Sequence, residues 1–226
     1  PRVLIREITR GTTLNCGYTE DESYNNPGII NVISQSTINE KKILKSLTAL
    51  VNSRLIFYFH LMTSPKAKLK TSIPKILIKD VENLPIPETN KLLNSNLSIL
   101  CDNNIYNTEE LVDKVNSLLS YITAKYVGIV INKKLKSWHE LDFGDFIKEL
   151  NKVIKTTNKE RLKQGLQEIE SLTKKDEFEW LELFEENKQK AQELQTQINQ
   201  SDKEIDAIVY ELYGLTKEEI EIVENS

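Results

Sequence analysis

The residues best suited to binding chemistry are lysines that alternate along a polar stretch. Lys66, Lys68 and Lys70 are spaced two apart, and Lys75 comes just before the apolar residues 76–78. We expect this stretch to be an exposed loop, where ammonium groups can contact nucleic-acid phosphates as point charges. We predict that all four lysines bind phosphates. An ordinary solubilising loop is the alternative for the first three.

Arginine and asparagine residues near the N-terminus are candidates for reading base edges. An Arg guanidinium can donate two hydrogen bonds to guanine, and an Asn amide can pair bidentately with adenine. The candidates are Arg6, Arg10, Asn25 and Asn26. Surface charge on an edge strand is the alternative for the two arginines.

The chain contains no recognisable catalytic motif. Its seven glycines are scattered and form no loop for phosphates or a cofactor. His139-Glu140 lacks the second histidine that a zinc-binding helix needs, and His60 lies in an apolar segment where a satisfied structural side chain is expected. We therefore predict no enzymatic activity, no metal and no cofactor for this chain itself.

The total charge of −4 conceals a marked asymmetry. Residues 1–100 hold 13 Lys and Arg against 8 Asp and Glu, whereas the remaining residues hold 17 against 26. The first part is therefore the one expected to meet polyanions, and the second is expected to be repelled by them.

Composition favours a helix-rich globular protein. Hydrophobic residues make up 39% of the 226 residues, and no apolar run approaches the length of a membrane span. Cys16 and Cys101 are too few for a disulfide framework, so we expect a reducing, cytoplasmic setting. The chain begins directly with a strand-like segment, which predicts a fragment of a longer protein.

The first 107 residues predict a small twisted mixed β-sheet, largely antiparallel, with packed helices. Short alternating segments bounded by turns predict strands at 1–9, 12–18, 29–34 and 76–78. A mostly apolar segment predicts a buried helix at 39–62, and the Asn-rich residues 92–105 predict a loop with a short helical turn.

Residues 108–226 predict an antiparallel helical coiled coil. Apolar residues repeat by sevens in the predicted helix 176–213, at Phe184, Ala191, Ile198, Ile205 and Leu212. This helix would be about 57 Å long, which exceeds the needs of a compact core. We expect it to pack against a first arm at 108–136, capped at Thr108, with a helical insert at 137–175. Gly214 predicts a left-handed helix end, and Thr216 with Glu219 predicts a capping box for a short final helix.

Several segments resemble the TaqI-like C-terminal specificity domains of type II adenine-specific DNA methyltransferases and fused restriction-modification enzymes. The similarity is strongest in Leu50-Val-Asn-Ser-Arg-Leu-Ile-Phe-Tyr-Phe59, in Pro74-Lys-Ile-Leu followed by Asp80-Val-Glu-Asn-Leu-Pro-Ile-Pro87, and in residues 202–224. The opening segment 1–8 and the insert 138–150 are also similar to this family.

The resemblance implies that the chain is the target-recognition domain of a restriction-modification methyltransferase. The catalytic domain would then precede it in the same polypeptide, use S-adenosylmethionine, and modify an adenine extruded from double-stranded DNA. The helical hairpin would dock the recognition domain onto that catalytic domain. We expect the fragment to be monomeric. The alternative is a coiled-coil protein-interaction module without a nucleic-acid role, which leaves the charge asymmetry unexplained.

Overall fold

The computed structural model describes residues 1–8, 13–35, 37–64 and 75–226. These residues form two compact units, each with its own core. Unit 1 comprises Pro1–Ile105 together with Asn199–Ser226, and unit 2 comprises Tyr106–Ile198. The prediction placed residues 108–226 in one domain, whereas the last 28 residues pack within unit 1, because Ile205 and Val209 are buried in its core.

The fold is mixed α+β and mainly helical, which confirms the predicted class. The strands are β1 (Arg2–Arg6), β2 (Cys16–Thr19) and β3 (Ile29–Val32). The helices are α1 (Glu40–Val51), α2 (Arg54–Thr63), α3 (Ile78–Glu82), α4 (Thr89–Asn94), α5 (Leu97–Lys125), α6 (Lys133–Lys136), α7 (Phe143–Lys163), α8 (Lys174–Tyr213) and α9 (Lys217–Glu224). A 3₁₀ turn at Trp138–Glu140 precedes α7.

The sheet of unit 1 has the order β2-β1-β3, and β1 runs antiparallel to both neighbours. The expected mixed sheet is therefore fully antiparallel in the described part of the chain. A parallel pairing needs a crossover of about a dozen residues or more, usually a helix, and the described residues that connect these strands contain no helix. Residues 76–78 do not form a strand: Lys75 makes an isolated bridge with Ile8, and α3 begins at Ile78.

The core of unit 1 lies between one face of the sheet and the helices. Val3 and Ile5 of β1 are buried against Leu44 and Leu50 of α1 and Ile56 of α2. The predicted helix 39–62 is interrupted at Asn52 and Ser53. The Ser53 hydroxyl accepts a hydrogen bond from the Ile56 backbone N at 3.4 Å and caps α2, as expected for an N-cap serine.

Two further boundaries differ from those predicted. The expected loop 92–105 is largely helical, because α4 begins at Thr89 and α5 begins at Leu97, whose side chain is buried. The first arm therefore runs over Leu97–Lys125 rather than 108–136, and Thr108 lies inside the helix instead of capping it. The turn after α5 contains Gly128 at φ 82°, a conformation that glycine adopts without strain.

Unit 2 is built around an aromatic cluster. The Phe184 ring lies 4.8 Å from the Phe146 ring and 5.8 Å from the Trp138 ring, measured between centroids. Trp180 packs on Phe146 and donates a hydrogen bond to the Tyr126 hydroxyl at 3.2 Å. The predicted insert contributes α7, whose Phe146, Ile147 and Leu150 are all buried in this cluster.

The ends of the last helices match the sequence prediction. Gly214 has φ 66° after α8, and Thr216 and Glu219 form a reciprocal capping box at the start of α9. Nowhere in the described ranges does a helix combine the length and apolar character needed to cross a lipid bilayer.

His60 is a buried ring without a hydrogen-bond partner. Its side chain is 1% exposed in α2, and neither ring nitrogen has a partner among the described residues. The expected satisfied histidine is therefore buried, and no described residue satisfies its ring nitrogens. Burial lowers the pKa of His60 below its usual value of 6.5, although nearby Asp80 opposes this effect. The folded state thus favours neutral His60.

We predict that Phe184→Ala destabilises unit 2 by about 3–5 kcal/mol, because it opens a cavity in the aromatic cluster. Phe178→Ala is the matched control on the same helix, since Phe178 is 75% exposed. Urea unfolding followed by tryptophan fluorescence measures the difference. Equal effects of the two variants would contradict the described core.

We predict that His60 makes unit 1 sensitive to acid. The histidine has a lowered folded pKa, so its full contribution to stability is present above pH 6.5 and is lost as the pH falls below that value. The test uses a His139→Gln background, in which His60 is the only histidine. Adding His60→Leu should reduce the loss of unfolding free energy between pH 7 and pH 5, as measured by urea titrations. An unchanged pH dependence would refute this role.

Candidate nucleic-acid interface

The sheet of unit 1 has an outer face that is opposite the core. Residues paired across antiparallel strands share a face, and neighbours along a strand alternate. Because Val3 and Ile5 point into the core, the other residues of β1 and their partners form the outer face. Its members are Arg2, Leu4, Arg6, Gly17, Thr19, Ile29 and Asn31.

This outer face is polar and accessible. Arg6 and Asn31 are exposed, and Leu4 at the centre is half-buried. A Cβ placed on Gly17 would meet no atom within 4 Å, so none of the described residues covers the middle of the face there. Among residues 1–8, 13–35, 37–64 and 75–226, the strands of this face are therefore open to a ligand.

The loop between β2 and β3 borders this face and is held by side-chain hydrogen bonds. Arg2 donates to the Ser23 backbone O at 2.7 Å, the Ser23 hydroxyl at 2.8 Å and the Asp21 backbone O at 3.2 Å. Arg2 was not predicted as a site residue, and these bonds give it a positioning role. Tyr24 follows in the same loop with a fully exposed ring, which is the kind of surface on which a base can stack.

Asn25 and Asn31 form a pair on the outer face. The Asn25 Nδ2 group donates to Asn31 Oδ1 at 2.9 Å. The Asn25 Oδ1 acceptor and the Asn31 Nδ2 donor have no other partner within the described ranges. Adenine presents an N6 donor and an N7 acceptor in the major groove, so the pair offers a complementary acceptor and donor. Asn25 was predicted as a base-reading residue, whereas Asn31 was missed. Asn31 pairs with Leu4 across the strands, so its place on the outer face could be predicted only with the strand register known.

Arg6 lies at the end of β1, where its guanidinium is exposed. Its backbone N donates to Asn15 O at 3.2 Å, and its side chain makes no hydrogen bond or ion pair within the part of the chain that the structure describes. No described residue therefore occupies the guanidinium. Arg6 and the Asn25–Asn31 pair share one face of the sheet.

Asn26 and Lys75 have structural partners. The Asn26 Oδ1 accepts from the Gly28 backbone N at 3.0 Å and so forms the turn into β3. The Lys75 ammonium lies 3.6 Å from a Glu7 carboxylate oxygen and is half-exposed, so its charge is partly compensated. The other predicted residues, Lys66, Lys68, Lys70 and Arg10, lie outside the described residues.

Asn52 fixes the edge strand β2 from the side of the core. Its Oδ1 accepts from the Cys16 backbone N at 2.8 Å, and its Nδ2 donates to the Cys16 backbone O at 2.7 Å. These bonds satisfy the edge of the strand and set the plane of the outer face. Burial raises the pKa of the Cys16 thiol above its usual value, so this thiol is neutral at physiological pH.

No group of three or more His, Cys, Asp or Glu side chains among residues 1–8, 13–35, 37–64 and 75–226 is arranged to hold a metal ion. The chemistry offered by the outer face is hydrogen bonding and positive charge. These properties suit recognition of a polar anionic ligand.

Comparison with known proteins relates the helical part of the chain to a family. The family model for a domain of unknown function, DUF8810, matches residues 90–209, which is more than half of the chain. The match includes all of unit 2 and none of the sheet residues. No curated protein and no solved structure shows a significant match to the chain. The chain therefore belongs to the DUF8810 family of domains of unknown function.

Proposed function

We propose that this chain is a sequence-specific DNA recognition domain, and that the outer face of the sheet reads the target. The observation that carries the proposal is the placement of Arg6 and the Asn25–Asn31 pair on one face of the sheet, where no described residue pairs with the Arg6 guanidinium. Such side chains form the bidentate contacts that distinguish guanine and adenine in the major groove.

The roles of the residues follow from their geometry. Arg6 would donate to guanine O6 and N7, and the Asn25–Asn31 pair would bind the adenine edge. Tyr24 would stack on an exposed base or sugar at the border of the face. Lys75 would contribute a phosphate contact weakened by Glu7, and Lys66, Lys68 and Lys70 retain their predicted phosphate roles.

The similarity to TaqI-like specificity domains supports a place within a larger enzyme. An N-terminal adenine-specific methyltransferase domain, with or without a fused restriction endonuclease, would bind S-adenosylmethionine and perform the chemistry in the cytoplasm. This chain would select the site at which an adenine is extruded.

We further propose that α5 and α8 act as an antiparallel coiled-coil arm in a monomeric chain. The heptad positions of α8 at Phe184, Ala191 and Ile205 are buried, which supports the proposal. In unit 1, Asn104 of α5 donates to Asp202 of α8 at 2.7 Å. In unit 2, Lys125 of α5 lies 3.6 Å from Asp176 of α8, which is the order expected for antiparallel helices.

A coiled-coil protein-interaction module is the second candidate. It is favoured by the extent of the family match, which covers helical residues 90–209 and no strand. Phe178 of α8 also exposes 75% of its surface and could meet a partner helix. Sedimentation of the chain distinguishes the two, because a concentration-dependent dimer favours this second function.

The test of the recognition function begins with selection of bound duplexes from a randomised library. Arg6→Gln and Asn31→Ala should each weaken binding to the selected sequence by about 5- to 150-fold, which corresponds to about 1–3 kcal/mol for one bidentate contact. Each should also relax the base preference at one position. Fluorescence anisotropy with the selected and a scrambled duplex measures both effects.

Asn116→Ala is the matched control, since Asn116 is an exposed asparagine on α5. It should leave affinity and base preference unchanged. Selection of no consensus sequence, or equal effects of Asn31→Ala and Asn116→Ala, would refute recognition by the outer face.

A further inference from the structure

Helix α7 of unit 2 carries a stripe of five lysines, which we call the α7 lysine stripe. Its members are Lys148, Lys152, Lys155, Lys159 and Lys163. At about 100° per residue these positions fall within an arc of about 80° on the helix surface. All five side chains are exposed, with Lys148 79% and Lys152 64% accessible. The stripe is therefore a continuous cationic surface.

The orientation of the stripe is fixed by the packing of the opposite side of α7. Phe146, Leu150 and Val153 are buried in the aromatic core of unit 2. The helix start is fixed by Asp142, whose carboxylate accepts from the Asp145 backbone N at 2.7 Å. Because the buried side cannot rotate away from the core, the lysines must face solvent.

Acidic neighbours compensate the stripe only in part. Lys163 lies 2.8 Å from Glu160, and Lys152 lies 3.4 Å from Glu149. Lys155 and Lys159 make no ion pair with any residue that the structure describes. The Lys163–Glu160 pair is exposed and contributes little free energy, so Lys163 can exchange it for a contact with another anion.

The Glu149 carboxylate holds another lysine, Lys134, beside the stripe. Its buried carboxylate lies 3.5 Å from Lys134 of α6 and accepts a hydrogen bond from Asn132 at 3.0 Å. The Asn132 hydrogen bond, together with the charges of Lys152 and Lys134, lowers the pKa of Glu149. The carboxylate therefore stays ionised and holds α6 next to α7.

The local charge differs from the charge of its surroundings. Residues 133–163 hold 9 Lys and Arg against 5 Asp and Glu, although the chain after residue 100 is acidic as a whole. The expectation that polyanions are repelled by this entire part does not apply to α7. The positive charge is concentrated on one rigid helix face, where its potential adds.

We propose that the α7 lysine stripe binds the phosphates of duplex DNA and is a contact surface separate from the outer face of the sheet. The stripe is about 22 Å long, and B-DNA carries one charge per about 1.7 Å of its axis, so several phosphates lie within its reach. The choice of DNA as the partner rests on the proposed recognition function. The stripe supplies affinity that is independent of sequence, because lysines on a helix surface contact the backbone and read no base.

The experiment compares two triple variants of the full chain. Lys152→Gln, Lys155→Gln and Lys159→Gln neutralise the stripe. Lys174→Gln, Lys175→Gln and Lys203→Gln remove the same formal charge from exposed positions of α8. Binding to a mixed-sequence duplex is followed by fluorescence anisotropy between about 50 mM and 200 mM salt, the range over which phosphate contacts are lost. Circular dichroism and thermal melting confirm that both variants are folded.

We expect the stripe variant to lower the slope of log affinity against log salt by about 2–3, since each phosphate contact contributes about 0.9. The α8 variant should keep the slope of the unmodified chain. If the stripe variant keeps the steep salt dependence of the unmodified chain, the stripe does not bind phosphates. Recognition by the sheet would be unaffected by that result. Equal losses in the two variants would also overturn it, because they would reflect net charge alone.

The same measurements distinguish failure of the sheet face from failure of the stripe. If the unmodified chain fails to bind duplex DNA at about 50 mM salt, both the recognition function and the stripe are refuted. If the stripe variant loses binding while Arg6→Gln and Asn31→Ala change no base preference, the stripe stands and the sheet face is refuted.

Discussion

The buried side of helix α8 is the constraint on which both units depend. Its N-terminal part supplies Trp180 and Phe184 to the aromatic core of unit 2, whereas its C-terminal part supplies Ile205 and Val209 to the core of unit 1. Apolar burial contributes roughly 25 cal/mol per Å² and cannot be replaced by polar surface contacts. Displacing either segment of α8 would expose the apolar residues that it covers in the corresponding core.

The sheet of unit 1 is small and depends on side chains outside its own strands. The Asn52 amide closes the edge of β2, and the Arg2 guanidinium holds the loop that borders the outer face. Three short strands are only marginally able to order themselves, so these bonds and the helices behind the sheet give the face its shape. Among the described residues the Arg6 side chain has no hydrogen-bond or ion-pair partner, and the Asn31 side chain bonds only to Asn25. These two side chains are therefore the ones proposed to meet base edges. Arg2 and Asn26, by contrast, are occupied in holding the loop and the turn.

Two kinds of surface follow from the same physical rules. On the sheet, a few polar side chains with open hydrogen-bonding positions can discriminate between bases. On α7, evenly spaced ammonium groups provide charge without discrimination. A protein that must find and then select a DNA site needs both properties, since phosphate contacts give affinity and base contacts give specificity. Helix α8, by contrast, holds more acidic than basic residues.

The sequence by itself determined the features that depend on local periodicity and on single residues. The seven-residue apolar repeat predicted the start of α8 to within two residues. Gly214, followed by the capping box of Thr216 and Glu219, predicted its end. Alternating apolar residues also predicted the three short N-terminal strands. These signals are local, because side-chain spacing and cap chemistry act within one or two turns.

Tertiary structure decided the boundaries and contacts that depend on distant residues. It divided the predicted helix 39–62 at Asn52, whose side chain bonds to Cys16, 36 residues away. It began α5 at Leu97, because that residue fills the core of unit 1, and it returned residues 199–226 to the same unit. The Asn25–Asn31 pair and the outward direction of the α7 lysines arise from strand register and core packing. Neither can be read from local sequence, because both require knowing which side of each element is buried.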